Sequence, residues 1–262
     1  MKLSIYQADA FTSELFGGNP AAICPLESWL PDELMQKIAL ENNLSETAFY
    51  VKKNDQFEIR WFTPAAEVDL CGHATLASAF ILFNYEGYDK NEIIFSTLKS
   101  GNLKVTKNGD LLTLDFPKDH LEKTDLSSAF LNAFNFHPSE AFKGKSKYML
   151  VYKNEDEIKN IIPDFKAIAE LARGGVIITA PGKNVDFVSR FFAPFLGVNE
   201  DPVTGSAHTA LIPYWAQITG KDELSAIQLS ARKGYLTCRN KKDRVEISGE
   251  CRLYLKGEIF PD

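Results

Sequence analysis

The feature that most constrains this chain is a pattern that it writes twice. Phe62-Thr63-Pro64 is followed by Glu67-Val68-Asp69-Leu70-Cys71-Gly72-His73-Ala74-Thr75, and Phe192-Ala193-Pro194 by Glu200-Asp201-Pro202-Val203-Thr204-Gly205-Ser206-Ala207-His208. Each copy reads as a strand, a polar loop and a helix of small and apolar residues. The match is longer than the motif. Ile38 through Pro64 aligns without a gap to Ile168 through Pro194, pairing Asn54 with Asn184, Phe57 with Phe187 and Arg60 with Arg190. Past Glu67 the spacing grows by three residues and then holds, so that Gly72 falls on Gly205, Gly87 on Gly220 and Gly101 on Gly234. A constant spacing over so long a run marks a duplicated unit.

The predicted architecture is therefore α+β, in two similar lobes related by a pseudo-twofold repeat, each a curled β-sheet or barrel around its own buried central helix. Residues 1–117 are the first lobe, to which a final strand within 250–262 crosses back, and residues 118–249 are the second. The central helix is read from Gly72 to Phe83, where Ala74, Leu76, Ala77, Ala79, Phe80, Ile81 and Leu82 leave no charged face. A helix that is apolar all round belongs inside. Strands are predicted at Leu3–Asp9, at Ala21–Leu26, through the alternating Thr47, Phe49 and Val51, and at Phe57–Phe62. That alternation places Glu46 at a strand start, on the face opposite Thr47. Pro31, followed by Asp32 and Glu33, opens a helix. Asn108-Gly109 predicts a hairpin turn, and Phe116-Pro117-Lys118-Asp119 breaks the pattern at the lobe boundary.

Several function classes are excluded by composition. A formal net charge of -6 over 262 residues offers no basic surplus to neutralise phosphates, which argues against a nucleic-acid partner. No apolar run is long enough to span a bilayer, and the opening Met1-Lys2-Leu3-Ser4-Ile5-Tyr6-Gln7 turns polar too early for a signal peptide, so a cytoplasmic protein is expected. The four cysteines, Cys24, Cys71, Cys238 and Cys251, are scattered, without a paired motif for zinc or a disulfide framework. His208 with Asp201 is a poor metal pair, and His120 and His137 lack partners at ligand spacing, so no metal is expected. Gly17-Gly18-Asn19-Pro20 lacks the glycine spacing and following helix of a dinucleotide fingerprint.

Chemistry is expected where the two copies meet glycine and where they differ. Gly72 and Gly205 each open a buried helix, whose first amides and positive dipole end suit an anion such as a substrate carboxylate. Packed with twofold symmetry, both helix ends would face one cleft. His73 corresponds to Ser206, Cys71 to Thr204, Val68 to Asp201 and Glu46 to Val176. A purely structural role would more naturally keep the same residue type in both places. A helix N-terminus disfavours a cation, so His73 is expected to be neutral and fit to move a proton. Cys71 reads either as a thiol activated by the helix end or as a small buried residue.

With these residues in view, the chain resembles the PhzF family, the phenazine-biosynthesis isomerase and its relatives, which shares its two-lobed fold with diaminopimelate epimerase. The resemblance runs over essentially the whole chain. It is carried by Phe16-Gly17-Gly18-Asn19-Pro20-Ala21, Leu44-Ser45-Glu46-Thr47-Ala48-Phe49, Cys71-Gly72-His73-Ala74-Thr75 and Glu200-Asp201-Pro202-Val203-Thr204-Gly205-Ser206-Ala207. The resemblance implies a homodimeric isomerase in which Glu46 moves a proton between substrate carbons without a cofactor, assisted by His73 and Asp201. Asn19, Ser45, Gly72, Gly205 and Ser206 are the expected contacts to a small carboxylate. Thr204 stands where the epimerase carries its second cysteine. The alternatives are an amino-acid epimerase or racemase using Glu46 and Cys71, or a protein that binds a small molecule without catalysis.

Overall fold

A computed structural model describes residues 1–261, which divide into two compact units, 1–115 with 248–261, and Phe116–Ile247. In the first unit, Leu3–Ala10 lies antiparallel between Asn19–Leu26 and the last strand, Cys251–Ile259. Asn19–Leu26 runs parallel to Glu46–Lys53, and the helix Asp32–Asn42 makes the crossover that a parallel pair requires. A tight turn with Asn54 at φ 55 returns the chain antiparallel as Gln56–Phe62. The helix Gly72–Tyr85 follows, then Glu92–Ser96 parallel to Gln56–Phe62, and then Asn102–Asn108 and Leu111–Pro117 as antiparallel neighbours.

This sheet curls round Gly72–Tyr85, which packs against Leu3–Ala10, Asn19–Leu26, Glu46–Lys53 and the last strand. Every residue of the helix from His73 to Leu82 except Phe80 is buried. Thr75 and Ser78 stay inside because each returns a hydrogen bond to the preceding turn, Thr75 to the Cys71 carbonyl at 2.6 Å and Ser78 to the Ala74 carbonyl at 2.7 Å.

The second unit repeats the order of pairings. Tyr148–Val151 runs parallel to Val176–Pro181, which turns antiparallel into Phe187–Phe192. The helix Gly205–Thr219 follows, then Glu223–Gln228 parallel to Phe187–Phe192 and Gly234–Asn240 antiparallel to it. Here the buried helix is keyed in by Trp215, whose ring stacks on Phe187 at 5.8 Å and whose indole N–H donates to Thr179 Oγ1 at 2.9 Å. Pro213 lies inside this helix and has no N–H to give the Thr209 carbonyl. That carbonyl accepts instead from the Asp119 backbone amide at 3.2 Å.

The glutamate that opens both motif copies is structural. Glu67 takes two bonds from Arg60, Nε at 2.7 Å and Nη2 at 2.8 Å, and Glu200 takes the same pair from Arg190 at 2.7 and 3.0 Å. Each fork ties the loop that enters a buried helix to the strand before it. Arg190 also donates Nη1 to the carbonyls of Ile158 and Ile161. Arg190→Gln removes the fork and leaves a half-buried carboxylate without its partner, so urea unfolding is expected to show a loss of about 2–4 kcal/mol. A loss below roughly 1 kcal/mol would mean that solvent replaces the fork.

The hairpin prediction is corrected by one residue. Asn108 pairs with Leu111, so Asn108 ends its strand and Gly109-Asp110 is the two-residue loop. Gly109 has φ 62 while Asp110 is not among the positive-φ residues, which is the pattern of a type II′ turn with glycine first.

Candidate active site

Three elements of the first unit converge on one cluster. Asn19 begins one strand, Glu46 begins its parallel neighbour with Ala21 opposite, and His73 lies in the first turn of the helix packed on both. Asn19 is delivered by the glycine pair before it. Gly18 has φ 60, and a Cβ there would fall 2.1 Å from the Ala10 carbonyl oxygen, so only glycine fits. The His73 ring bridges the two strands: Nε2 lies 3.1 Å from Glu46 Oε2, and Nδ1 lies 3.1 Å from Asn19 Nδ2. Asn19 and His73 are buried, and Glu46 is half-buried.

Burial by itself lowers the His73 pKa, but the Cys71 and Glu46 side chains outweigh it and hold the ring well above the ordinary imidazole value. Burial, with Glu46 adding to it, pushes the Cys71 thiol up to about 11. The expectation of a neutral His73 is therefore corrected: the dipole of the helix end and burial disfavour charge on the ring, and the Cys71 and Glu46 side chains together more than offset them. The Asn19 amide suits either state of the ring, since a half-turn exchanges its oxygen for its NH₂.

Cys71 Sγ lies 3.5 Å from Nδ1 and 3.9 Å from Nε2 of His73. A thiol aimed along one nitrogen's lone pair would be far from the other, so these near-equal distances set it against the ring face. Glu46, Cys71 and His73 also bring one donor atom each to within 4.8 Å of one another. The face-on, protonated thiol matches a packing neighbour of the imidazole better than a ligand sharing a cation with it. Cys24, Cys238 and Cys251 are free and buried in strands.

The helix that carries His73 opens without a side-chain cap and with no acid in its first turn. Thr75 N–H bonds the Cys71 carbonyl and the Ala74 amide faces the Cys71 sulfur. Among the described residues, the amides of Gly72 and His73 are left to bind an anion. Among the described residues, Ser45, half-buried in the bend before Glu46, makes no side-chain hydrogen bond.

In the second unit, the loop into Gly205–Thr219 is held by a network that sequence reading did not find. Thr204 Oγ1 donates to Asp201 Oδ2 at 2.5 Å. Gln228 accepts from the Thr204 amide at 2.9 Å and donates to the Asp201 carbonyl at 2.8 Å. The signal was a polar residue at an inward-facing position: Leu224, Ala226 and Gln228 are the buried residues of an alternating strand. His208 Nδ1 lies 2.8 Å from the Thr204 carbonyl, and burial pushes its pKa down to about 4, so this histidine is a neutral donor within the core. Gly205 is buried, and the half-buried Ser206 has no hydrogen-bond partner for its hydroxyl among the described residues.

The family described as phenazine biosynthesis-like protein, PhzC-PhzF, matches residues 8–257. The chain belongs to this family. An uncharacterized isomerase of Pseudomonas aeruginosa is 48% identical over 259 residues, covering 99% of each chain. The crystal structure of a PhzF-family protein from Enterococcus faecalis superposes with a TM-score of 0.96 at 48% identity, covering 99% of this chain and 100% of that one. At the level of fold alone, a hydroxyproline epimerase from Agrobacterium vitis aligns with a TM-score of 0.68 at 10% identity, over 100% of this chain and 93% of its own. This PhzC-PhzF member is an enzyme of the isomerase type, and no helix among its described residues is long and apolar enough to cross a membrane.

Proposed function

We propose that the chain is a cofactor-independent isomerase of a small carboxylate-bearing metabolite, and that Glu46 moves the proton. One observation carries the reading: a carboxylate, an imidazole and an amide are lined up at 3.1 Å spacings beside the free amides of a buried helix end. The substrate carboxylate docks on the amides of Gly72 and His73. Glu46 takes a proton from the carbon next to a carbonyl or carboxyl group, and the C–H electron pair moves into an enolate. The protonated His73 stabilises that developing negative charge, and the half-buried Glu46, its acid proton exchanged with solvent, protonates a different carbon as the double bond shifts. Asn19 fixes the ring, while Ser45, Gly205 and Ser206 are proposed substrate contacts and Asp201 a proposed assisting acid. The family resemblance carries a homodimeric assembly as part of the same proposal.

Cys71 is left out of the chemistry. A thiol pushed up to about 11 and set against the imidazole face is a poor second base, and Thr204 offers no second thiol. The test is a thermal-shift screen of small carboxylic acids with acidic C–H bonds, followed by incubation of each bound acid in D₂O. Deuterium should enter the carbon that gains the proton, and Cys71→Ser should retain activity within about tenfold, less than a working acid or base contributes. Deuterium at a stereocentre, with activity lost in Cys71→Ser as well as in Glu46→Gln, would establish the epimerase reading instead.

A further inference from the structure

The buried helix of the first unit has a second end. Gly72–Tyr85 spans about 21 Å at 1.5 Å per residue, so its C-terminus lies far from Glu46 and His73. Around that C-terminus lies a pocket of about 770 Å³, within the size range of small-molecule sites. Its wall includes Tyr50, which is only 3% exposed and whose buried side-chain oxygen has no hydrogen-bond partner among the described residues. A phenol left without a partner in so buried a place is costly, and a ligand that reaches it removes the cost. Leu26, Leu30, Phe57 and Leu82 supply apolar wall.

The charges around this pocket select the sign of the ligand. The last turn of the helix contains no basic residue to offset the negative end of its dipole. Glu86, at the helix C-cap, has one carboxylate oxygen held by the Tyr6 hydroxyl at 2.5 Å. Glu27 and Asp89 add negative charge to the wall; of its cations, the Met1 ammonium donates to the Pro261 carbonyl at 3.0 Å, Lys2 pairs with Glu258, and Lys90 pairs with Asp55 of the same wall. Lys52 is the remaining lysine of the lining and is solvent-exposed. We propose that this pocket is a second ligand site, separate from the catalytic cluster, which takes a small molecule with an apolar body and a protonated amine. The amine pairs with Glu86 and the helix carbonyl end, the body fills the apolar wall, and Tyr50 gains its missing hydrogen bond.

Phenethylamine is the probe and phenylacetate its anionic counterpart, titrated into the full-length protein by calorimetry. The amine should bind saturably and phenylacetate should not. Glu86→Gln should weaken amine binding about tenfold or more, and Glu46→Gln should leave it unchanged. Tyr50→Phe should also weaken binding while the unliganded protein melts no lower than wild type, because an unpaired hydroxyl has been removed. The proposal is overturned if the amine does not saturate, if phenylacetate binds as tightly, or if Glu86→Gln binds as well as wild type. Loss of amine binding in Glu46→Gln also overturns it, by placing the amine at the catalytic end of the helix.

Discussion

Glu46→Gln is expected to lower turnover by about 10²–10⁴-fold, the range a positioned acid or base contributes, while binding of the carboxylate ligand persists. The substitution keeps the volume and the polar atoms of a side chain whose Oε2 faces His73 Nε2 at 3.1 Å, so the cluster keeps its shape. The anchor proposed for the substrate carboxylate is the pair of backbone amides at Gly72 and His73, which the substitution does not touch. Measuring kcat and ligand affinity on the same preparation separates the two effects. Unchanged kcat on a substrate that the wild type turns over would remove Glu46 from the mechanism.

The second large effect is expected at His73. His73→Gln should lower kcat by a comparable factor and also change how stability depends on pH. The folded protein holds this imidazole above its unfolded value of about 6.5, because the Cys71 and Glu46 side chains together outweigh the burial that opposes it. Folding therefore favours proton uptake by His73. The stabilisation from this group is fully present below about pH 6.5 and is lost as pH climbs through the raised folded value. Urea unfolding of wild type against His73→Gln should show the wild-type advantage shrinking from neutral into alkaline solution. An advantage that grows with pH over that window would mean that the ring is held neutral.

The parts of this fold legible in the sequence are those fixed by local chemistry or by repetition. The uncharged run from Gly72 announces a buried helix, and the matching of Arg60 with Arg190 and Glu67 with Glu200 reappears as two identical guanidinium–carboxylate forks. The charge of His73 was not legible, because the helix end is local in sequence whereas Glu46 arrives from a distant strand. Gln228 was missed for the same reason: its two partners, Thr204 and Asp201, belong to a loop far away in the chain. The short helices Ser128–Asn132, Glu155–Asn160 and Phe165–Leu171 carried no clear apolar period, although each is started by a side-chain cap, from Ser127, Asn154 and Asp164. Those caps were the available signal.

The pairing of Leu3 with Ile259 has a consequence for the order of events during synthesis. Phe116–Ile247 is continuous in the chain, so this unit can close as soon as its last residues leave the ribosome. The first unit begins earlier yet finishes last, because Leu3–Ala10 waits for a neighbour made some 240 residues later. Until then its inner strand carries an open edge, the kind of surface that recruits strands from other chains. Ribosome-bound chains that stop before Cys251 are thus the stage at which this protein most needs protection from aggregation.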